Sequence, residues 1–364
     1  MKTNLILSLS LILASRLGFA QTDTDAYTKI RSVPTAASFL AIPGDIRGSG
    51  MGNLSVATQM DANAAFSNPA RIALFAISEI SEVAVTYTPL SPVTKDVRLL
   101  TLSGYKWIDS DSYAGVTLQY FSLGQVTFYD DQGNESQRLM PTDVALGGFY
   151  SRRLGERLAL GLTFKGILSS ATGGIQNQGE ATRMGLALST DVGLAGSFES
   201  GYNEIDYGIA FTNLGSKMSY GASTPKAFLP MSLRIGGGYK VNLDDENYIY
   251  GGLELSKPLL PSIAASNEDL DMGVLSAIGS SFSSNVSNYS LHVGAEGKFG
   301  GVLYLRAGYN KQSEKFGKKS YASFGVGFNV LLGDNNIRID GALNTASQTI
   351  QNTFKIGLAF QITD

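Results

Sequence analysis

The chain has 364 residues, 43% hydrophobic, 16% charged and 10% aromatic, with 42 glycines, one histidine, no cysteine and a formal net charge of −3. Without cysteine there is no disulfide framework, thiolate zinc site, iron–sulfur cluster or cysteine nucleophile, and the near-neutral charge excludes the basic stripe of a nucleic-acid binder. Charged residues fall below the roughly 25% usual in soluble domains, and glycine exceeds its usual share of about 7%; so much apolar and aromatic content excludes disorder.

Residues 1–20 read as a cleaved signal peptide. Lys2 supplies the positive start, Leu5 to Ala14 form an apolar core interrupted only by Ser8 and Ser10, and Gly18-Phe19-Ala20 places small residues where a signal peptidase reads. This core is too short for a membrane helix, which needs ~18 or more apolar residues. Cleavage after Ala20 would leave Gln21 first, and with no cysteine after the core a lipid anchor is excluded.

Residues 21–80 form an N-terminal segment without alternation. It carries Gly48-Ser49-Gly50-Met51-Gly52 and Asn68-Pro69-Ala70. The glycines are not a dinucleotide fingerprint, which needs Gly-x-Gly-x-x-Gly between a strand and a helix. A compact plug inside a barrel accounts for them, since glycine permits close backbone approach to a wall, and Pro69 would fix the backbone where the chain turns toward the first strand.

From about Glu82 to the end (81–364), apolar residues alternate with small or polar ones. Val116, Leu118 and Tyr120 share one face against Gly115, Thr117 and Gln119; Phe354, Ile356, Leu358, Phe360 and Ile362 oppose Lys355, Gly357, Ala359 and Gln361. Period two over eight or more residues predicts strands with one apolar face. The segments are longer than the five or six residues typical of soluble strands. Their second face mixes Gly, Thr, Ser, Gln, Lys and Glu, and the last strand runs almost to the C-terminus. These features predict an all-β, transmembrane outer-membrane β-barrel of about 14 antiparallel strands. It must close, because open strand edges go unsatisfied in hydrocarbon.

The longest irregular stretch, 258–288, predicts a surface loop. Leu270, Met272, Val274, Leu275 and Ile278 make it apolar enough to contact a partner, and loops beyond ~12–15 residues are often functional. Other candidates for chemistry are few. His292 shares a strand face with Ser290 and Glu296; a Ser/His pair is the minimum of a hydrolase, and a lumen histidine bonded to Glu296 or a neighbouring strand is the simpler reading. Asp130-Asp131 and Asp244-Asp245-Glu246 lack EF-hand spacing and read as solvated turns, with no metal site. Lys311, Lys315, Lys318 and Lys319 would keep a loop soluble or meet lipopolysaccharide phosphates.

The run "FLAIPGDIRGSGMGNLSVATQMDANAAFSNPARIAL", followed in order by "SEVAVTYTPL", "YFSLGQVTFYDDQGN", "YSRRLGERLALGL", "TNLGSKMSY", "FLPMSLRIGGGYKVNLDDEN" and "RAGYNKQSEKFGKKSYASFGVGF", resembles the PorV family of the type IX secretion system of Bacteroidetes. Asn68-Pro69-Ala70 is shared with the wider FadL-like class. Two departures stand out. The family's longer proline-rich loop after Leu255–Pro261 is shortened here, and Pro141-Thr142-Asp143 replaces its usual Pro-Asn-Glu-Phe. The resemblance implies a FadL-like barrel with an N-terminal plug, no cofactor and no catalysis of its own. It also implies partners: the C-terminal signal domains of secreted cargo, the large translocon barrel (SprA or Sov), the sortase-like attachment protein PorU, and outer-membrane lipid with lipopolysaccharide. The cargo would pass from translocon to attachment complex. A FadL-like transporter of long-chain fatty acids or other hydrophobic solutes is the alternative role.

Overall fold

In the computed structural model, residues 35–363 are described except 59–60, 77–78, 91–95, 130–131, 171–175, 178–179, 182, 222–224, 262–270, 284–288, 313–319, 334 and 346–351. The signal-peptide reading lies outside the described residues.

The strands in chain order are β1 (Ile80–Pro89), β2 (Arg98–Asp109), β3 (Ser112–Ser122), β4 (Val126–Tyr129), β5 (Glu135–Leu139), β6 (Thr142–Arg153), β7 (Leu158–Ser169), β8 (Gln176–Asn177), β9 (Glu180–Ala181), β10 (Gly185–Ser200), β11 (Asn203–Gly215), β12 (Ser232–Asn242), β13 (Tyr248–Pro258), β14 (Ser290–Phe299), β15 (Leu303–Gln312), β16 (Tyr321–Leu332), β17 (Asn335–Asn344) and β18 (Thr353–Thr363). Fourteen of them close one antiparallel barrel, with β4–β5 and β8–β9 as separate hairpins. The seam pairs the first strand with the last, Val85 opposite Leu358, while β1 also pairs with β2, Val85 opposite Leu102. No described helix is long and apolar enough to cross a membrane.

The barrel inverts the burial of a soluble sheet. Phe354, Ile356, Leu358, Phe360 and Ile362 of β18 point outward and are exposed, whereas Lys355, Gly357 and Ala359 point inward and are buried. On β7 the buried set is Ala159, Gly161, Thr163, Lys165, Ile167 and Ser169, with Phe164 exposed. An outward apolar band with a polar interior is stable when hydrocarbon replaces water around it. The connections β2–β3, β6–β7, β10–β11, β12–β13, β14–β15 and β16–β17 are turns of two to five residues. They mark the periplasmic end, and the longer alternate loops mark the cell surface.

Inside lies the segment Ala36–Ala76, with short helices α1 (Ile46–Ser49) and α2 (Ala70–Phe75) and 3₁₀ turns at Ser38–Ala41 and Ala62–Phe66. It touches the wall where the wall has no side chains. A Cβ on Gly308 of β15 would lie 2.1 Å from the Met51 carbonyl carbon, on Gly161 of β7 2.3 Å from Ala70 N, and on Gly208 of β11 2.2 Å from Val56 O. Such approach is open only to glycine. Overpacking of this kind costs about 1–3 kcal/mol, so Gly308→Ala should lower the thermal midpoint in detergent measured by circular dichroism. Gly251, where a Cβ meets nothing within 4 Å, supplies the control: its Ala variant should stay within about 0.5 kcal/mol of wild type.

Candidate functional site

The luminal segment is held by side chains that meet its backbone, because irregular backbone removed from water must find partners. Glu254 on β13 accepts from Ser55 N (2.7 Å) and Val56 N (2.8 Å), and it pairs with Arg234, whose Nη2 donates to Asn53 O at 2.7 Å. Glu82 on β1 accepts from Ala62 N at 2.8 Å, Ser323 Oγ on β16 accepts from Gly52 N at 2.6 Å, and Lys355 donates to Pro43 O. Within the segment, fully buried Arg71 donates to the carbonyls of Ser55 and Thr58 and pairs with Asp45.

The glycines and the Asn-Pro-Ala triplet fall in this contact zone. Asn68 Nδ2 donates to Val56 O (2.9 Å) and to Leu194 O of β10 (3.1 Å), and its Oδ1 accepts from Ala70 N at 3.2 Å. Pro69 precedes α2 with helical backbone angles, and Ala70 sits against Gly161. Gly50 faces Gly325 of β16, and Gly52 has φ +71° with its Cα against Tyr309 of β15. Gly48 packs on Leu54 O within the segment, and Asn53 N donates to its carbonyl.

A chain of buried ion pairs crosses the lumen: Arg47 with Glu296, Glu296 with Arg306, Arg306 with Asp340, Asp340 with Arg338, and Arg338 with Asp61 at 2.9 Å and Glu82 at 3.5 Å. Three carboxylates thus share Arg338. Burial holds the Asp61 carboxyl well above the usual range, at about 7; Arg338 pulls it down, and Asp45, Glu82 and Asp340 add to the rise.

His292 also serves the segment. Its Nδ1 donates to Gly52 O at 2.8 Å, which leaves Nε2 to accept from Ser256 Oγ at 2.8 Å, and the Asn310 amide lies beside Nδ1. The partners are therefore on the neighbouring strands β13 and β15, and among the described residues no bond joins His292 to Ser290 or Glu296. In the β12–β13 turn, Asp244 accepts from Asn247 N and Glu246 N, so the turn itself occupies that carboxylate. Asp130, Asp131, Lys315, Lys318 and Lys319 lie outside the described residues; Lys311 is exposed at the end of β15.

At the cell-surface end, the 258–288 stretch contains helix α3 (Val274–Ser283). Val274, Ala277, Ile278 and Ser281 repeat at helical spacing, and this period is the signal by which the sequence could have shown a helix rather than a loop. Met272, Val274 and Ile278 pack partly buried against Phe228, Met231 and Leu259. Leu275 is 84% exposed, and Phe282, two turns on along the same face and not among the sequence-derived candidates, is 56% exposed. Lys257 lies under Phe282 and Tyr289, 5.5 and 4.8 Å from the ring centres. Leu270 lies outside the described residues.

Residues 25–265 match the family described as type IX secretion system protein PorV. No curated protein matches the chain by sequence. Among solved structures, the Pseudomonas putida toluene transporter TodX is 13% identical with a TM-score of 0.53, covering 86% of this chain and 96% of that one. The Ralstonia pickettii toluene transporter TbuX is 11% identical with a TM-score of 0.51, covering 88% and 99%. A TodX channel mutant (deltaS2S3), 11% identical, reaches 0.56, covering 88% and 98%. At these identities the likeness concerns the fold alone, a closed antiparallel β-barrel.

Because the raised Asp61 carboxyl keeps its proton in the folded state to higher pH than in the unfolded chain, it contributes a destabilisation that grows from about pH 4 and is complete above about 7. Asp61→Asn cannot ionise. Its melting temperature relative to wild type should therefore be more favourable at pH 7.5 than at pH 4.5, compared by thermal melts of both proteins.

Proposed function

Because the chain belongs to the PorV family of type IX secretion proteins, and is an outer-membrane component of that system, we propose that it binds the C-terminal signal domain of secreted cargo and carries it from the translocon barrel to the cell-surface attachment complex. The observation that carries this reading is the unburied apolar face of α3. A helix seated on the barrel through Ala277 and Ile278 presents Leu275 and Phe282 to the outside, at the end where cargo leaves the translocon. Aromatic and large aliphatic side chains exposed on a rigid element are what a hot spot requires.

The same signal-domain site needs no catalytic group, and the barrel acts as its membrane-held post. SprA or Sov, PorU and lipopolysaccharide are the partners on the same route, and residues 1–20 act as the export signal. The luminal segment serves as the plug, with Gly48, Gly50, Gly52, Asn68, Pro69 and Ala70 as its contact motif. The rival role, transport of long-chain fatty acids or other hydrophobic solutes, has the fold in its favour. A bore crossed by ion pairs and packed glycine-to-backbone argues against it, since an apolar solute offers those charges nothing in exchange.

Leu275→Asp combined with Phe282→Asp should weaken binding of the purified barrel to an isolated cargo signal domain at least about tenfold, with heat-modifiable migration of the folded barrel unchanged. Undiminished binding would remove α3 as the contact. In cells, deletion of the gene should leave signal-bearing cargo uncleaved or missing from the surface. Intact secretion with reduced fatty-acid uptake would favour the transporter.

A further inference from the structure

The periplasmic end of the lumen holds a cavity of about 230 Å³ below the luminal segment, between the ends of β1, β2, β13–β18 and α2. Its lining includes Arg47, Arg338, Lys298, Tyr105, Asn329 and Asn336, and among the described residues no carboxylate. The acids of the ion-pair chain stand behind the guanidiniums instead. Arg47 directs Nη2 to Glu296 and to the Tyr248 hydroxyl, and its buried Nε has no partner among the described residues. Arg338 Nη2 sits 2.9 Å from Asp61 without aligning an N–H on it. The buried Tyr105 hydroxyl has no partner among the described residues either, and half-buried Lys298 forms no ion pair among them. Two buried donors without acceptors among the described residues, Arg47 Nε and the Tyr105 hydroxyl, beside the cationic side chains of Arg338 and Lys298, are unusual in a folded protein, where buried polar groups are almost always bonded.

The acceptors in the cavity narrow the ligand. Asn329 Oδ1 and Asn336 Oδ1 are buried without a partner among the described residues, while their amide nitrogens donate to Tyr304 Oη (3.0 Å) and Gln361 Oε1 (3.2 Å). A carboxylate or sulfate brings no proton to those oxygens. Inorganic hydrogen phosphate, or a phosphate monoester in its singly protonated form, brings anionic oxygens for Arg47, Arg338 and Lys298 and one P–OH for an amide oxygen. We propose that this cavity binds a phosphate group entering from the periplasmic side. The group is carried by a free phosphate or by the headgroup of a phosphomonoester lipid, and the site is independent of the cargo-binding face at the opposite end of the barrel.

Trp107, the only tryptophan, reports on the site, since it packs in the same cluster as Tyr105, two residues away on the inner face of β2. Full-length barrel in detergent is titrated with inorganic phosphate, with phosphatidic acid in the same micelles, and with acetate as a control. Saturable change in Trp107 fluorescence with phosphate identifies a free-phosphate site, and saturation only with phosphatidic acid identifies a lipid headgroup site; either supports the proposal. Lys298→Gln should raise the half-saturation concentration at least about tenfold, the effect of one charge-assisted hydrogen bond, and Tyr105→Phe should raise it several-fold. Thermal melts of both variants establish that they fold. The proposal is overturned if neither phosphate probe saturates below about 10 mM, if acetate matches them, or if both folded variants bind like wild type.

Discussion

The structure depends on one constraint: an irregular backbone enclosed in a barrel has no water to meet its N–H and C=O groups. The wall answers at each point along the luminal segment. Glu82, Glu254, Ser323, His292 and Lys355 each come from a different strand, and each faces a backbone atom of that segment. Between those polar contacts, glycines on β7, β11 and β15 let the two backbones touch. The ion-pair chain from Arg47 to Asp61 then follows from the same constraint. A carboxylate that accepts from the segment carries charge into a desolvated space, and each such charge needs a guanidinium or ammonium beside it.

This accounts for a division of labour along each strand. The outward positions answer only to hydrocarbon and can be any large apolar residue, so β18 reads Phe, Ile, Leu, Phe, Ile. The inward positions answer to a particular atom of the segment or of the next strand. Gly308 and Glu296 are therefore specified by shape and charge, whereas Leu305 or Phe324 is specified by hydropathy alone. At the cell-surface end neither constraint holds, and there α3 leaves Leu275 and Phe282 uncovered.

Period-two alternation made the barrel and its approximate strand number legible in the sequence, because hydrocarbon imposes the same rule on every strand. The pairing inside was not. Arg47 and Glu296 are separated by 249 positions, and nothing local to either residue names the other. His292 shows the limit well: its inward face was readable from alternation, but its partners Ser256 and Asn310 depend on the register of β13 and β15 against β14. Helix α3 was readable in principle from Val274, Ala277, Ile278 and Ser281, yet its length of ten residues inside a long connection gave the period too few turns to stand out.

The seam between β1 and β18 bears on how the molecule comes to exist. The first strand's partner is the last barrel strand in chain order, so the ring cannot shut until that strand is in place. By then the residues that end up inside precede every strand that surrounds them. The clearances at Gly161, Gly208 and Gly308 are too small for that segment to be threaded into a finished cylinder. The sheet must therefore curl around it, with Glu82 and Lys355, at the two edges that finally meet, both already gripping what they enclose. In this barrel the filling is the mandrel on which the wall is wound.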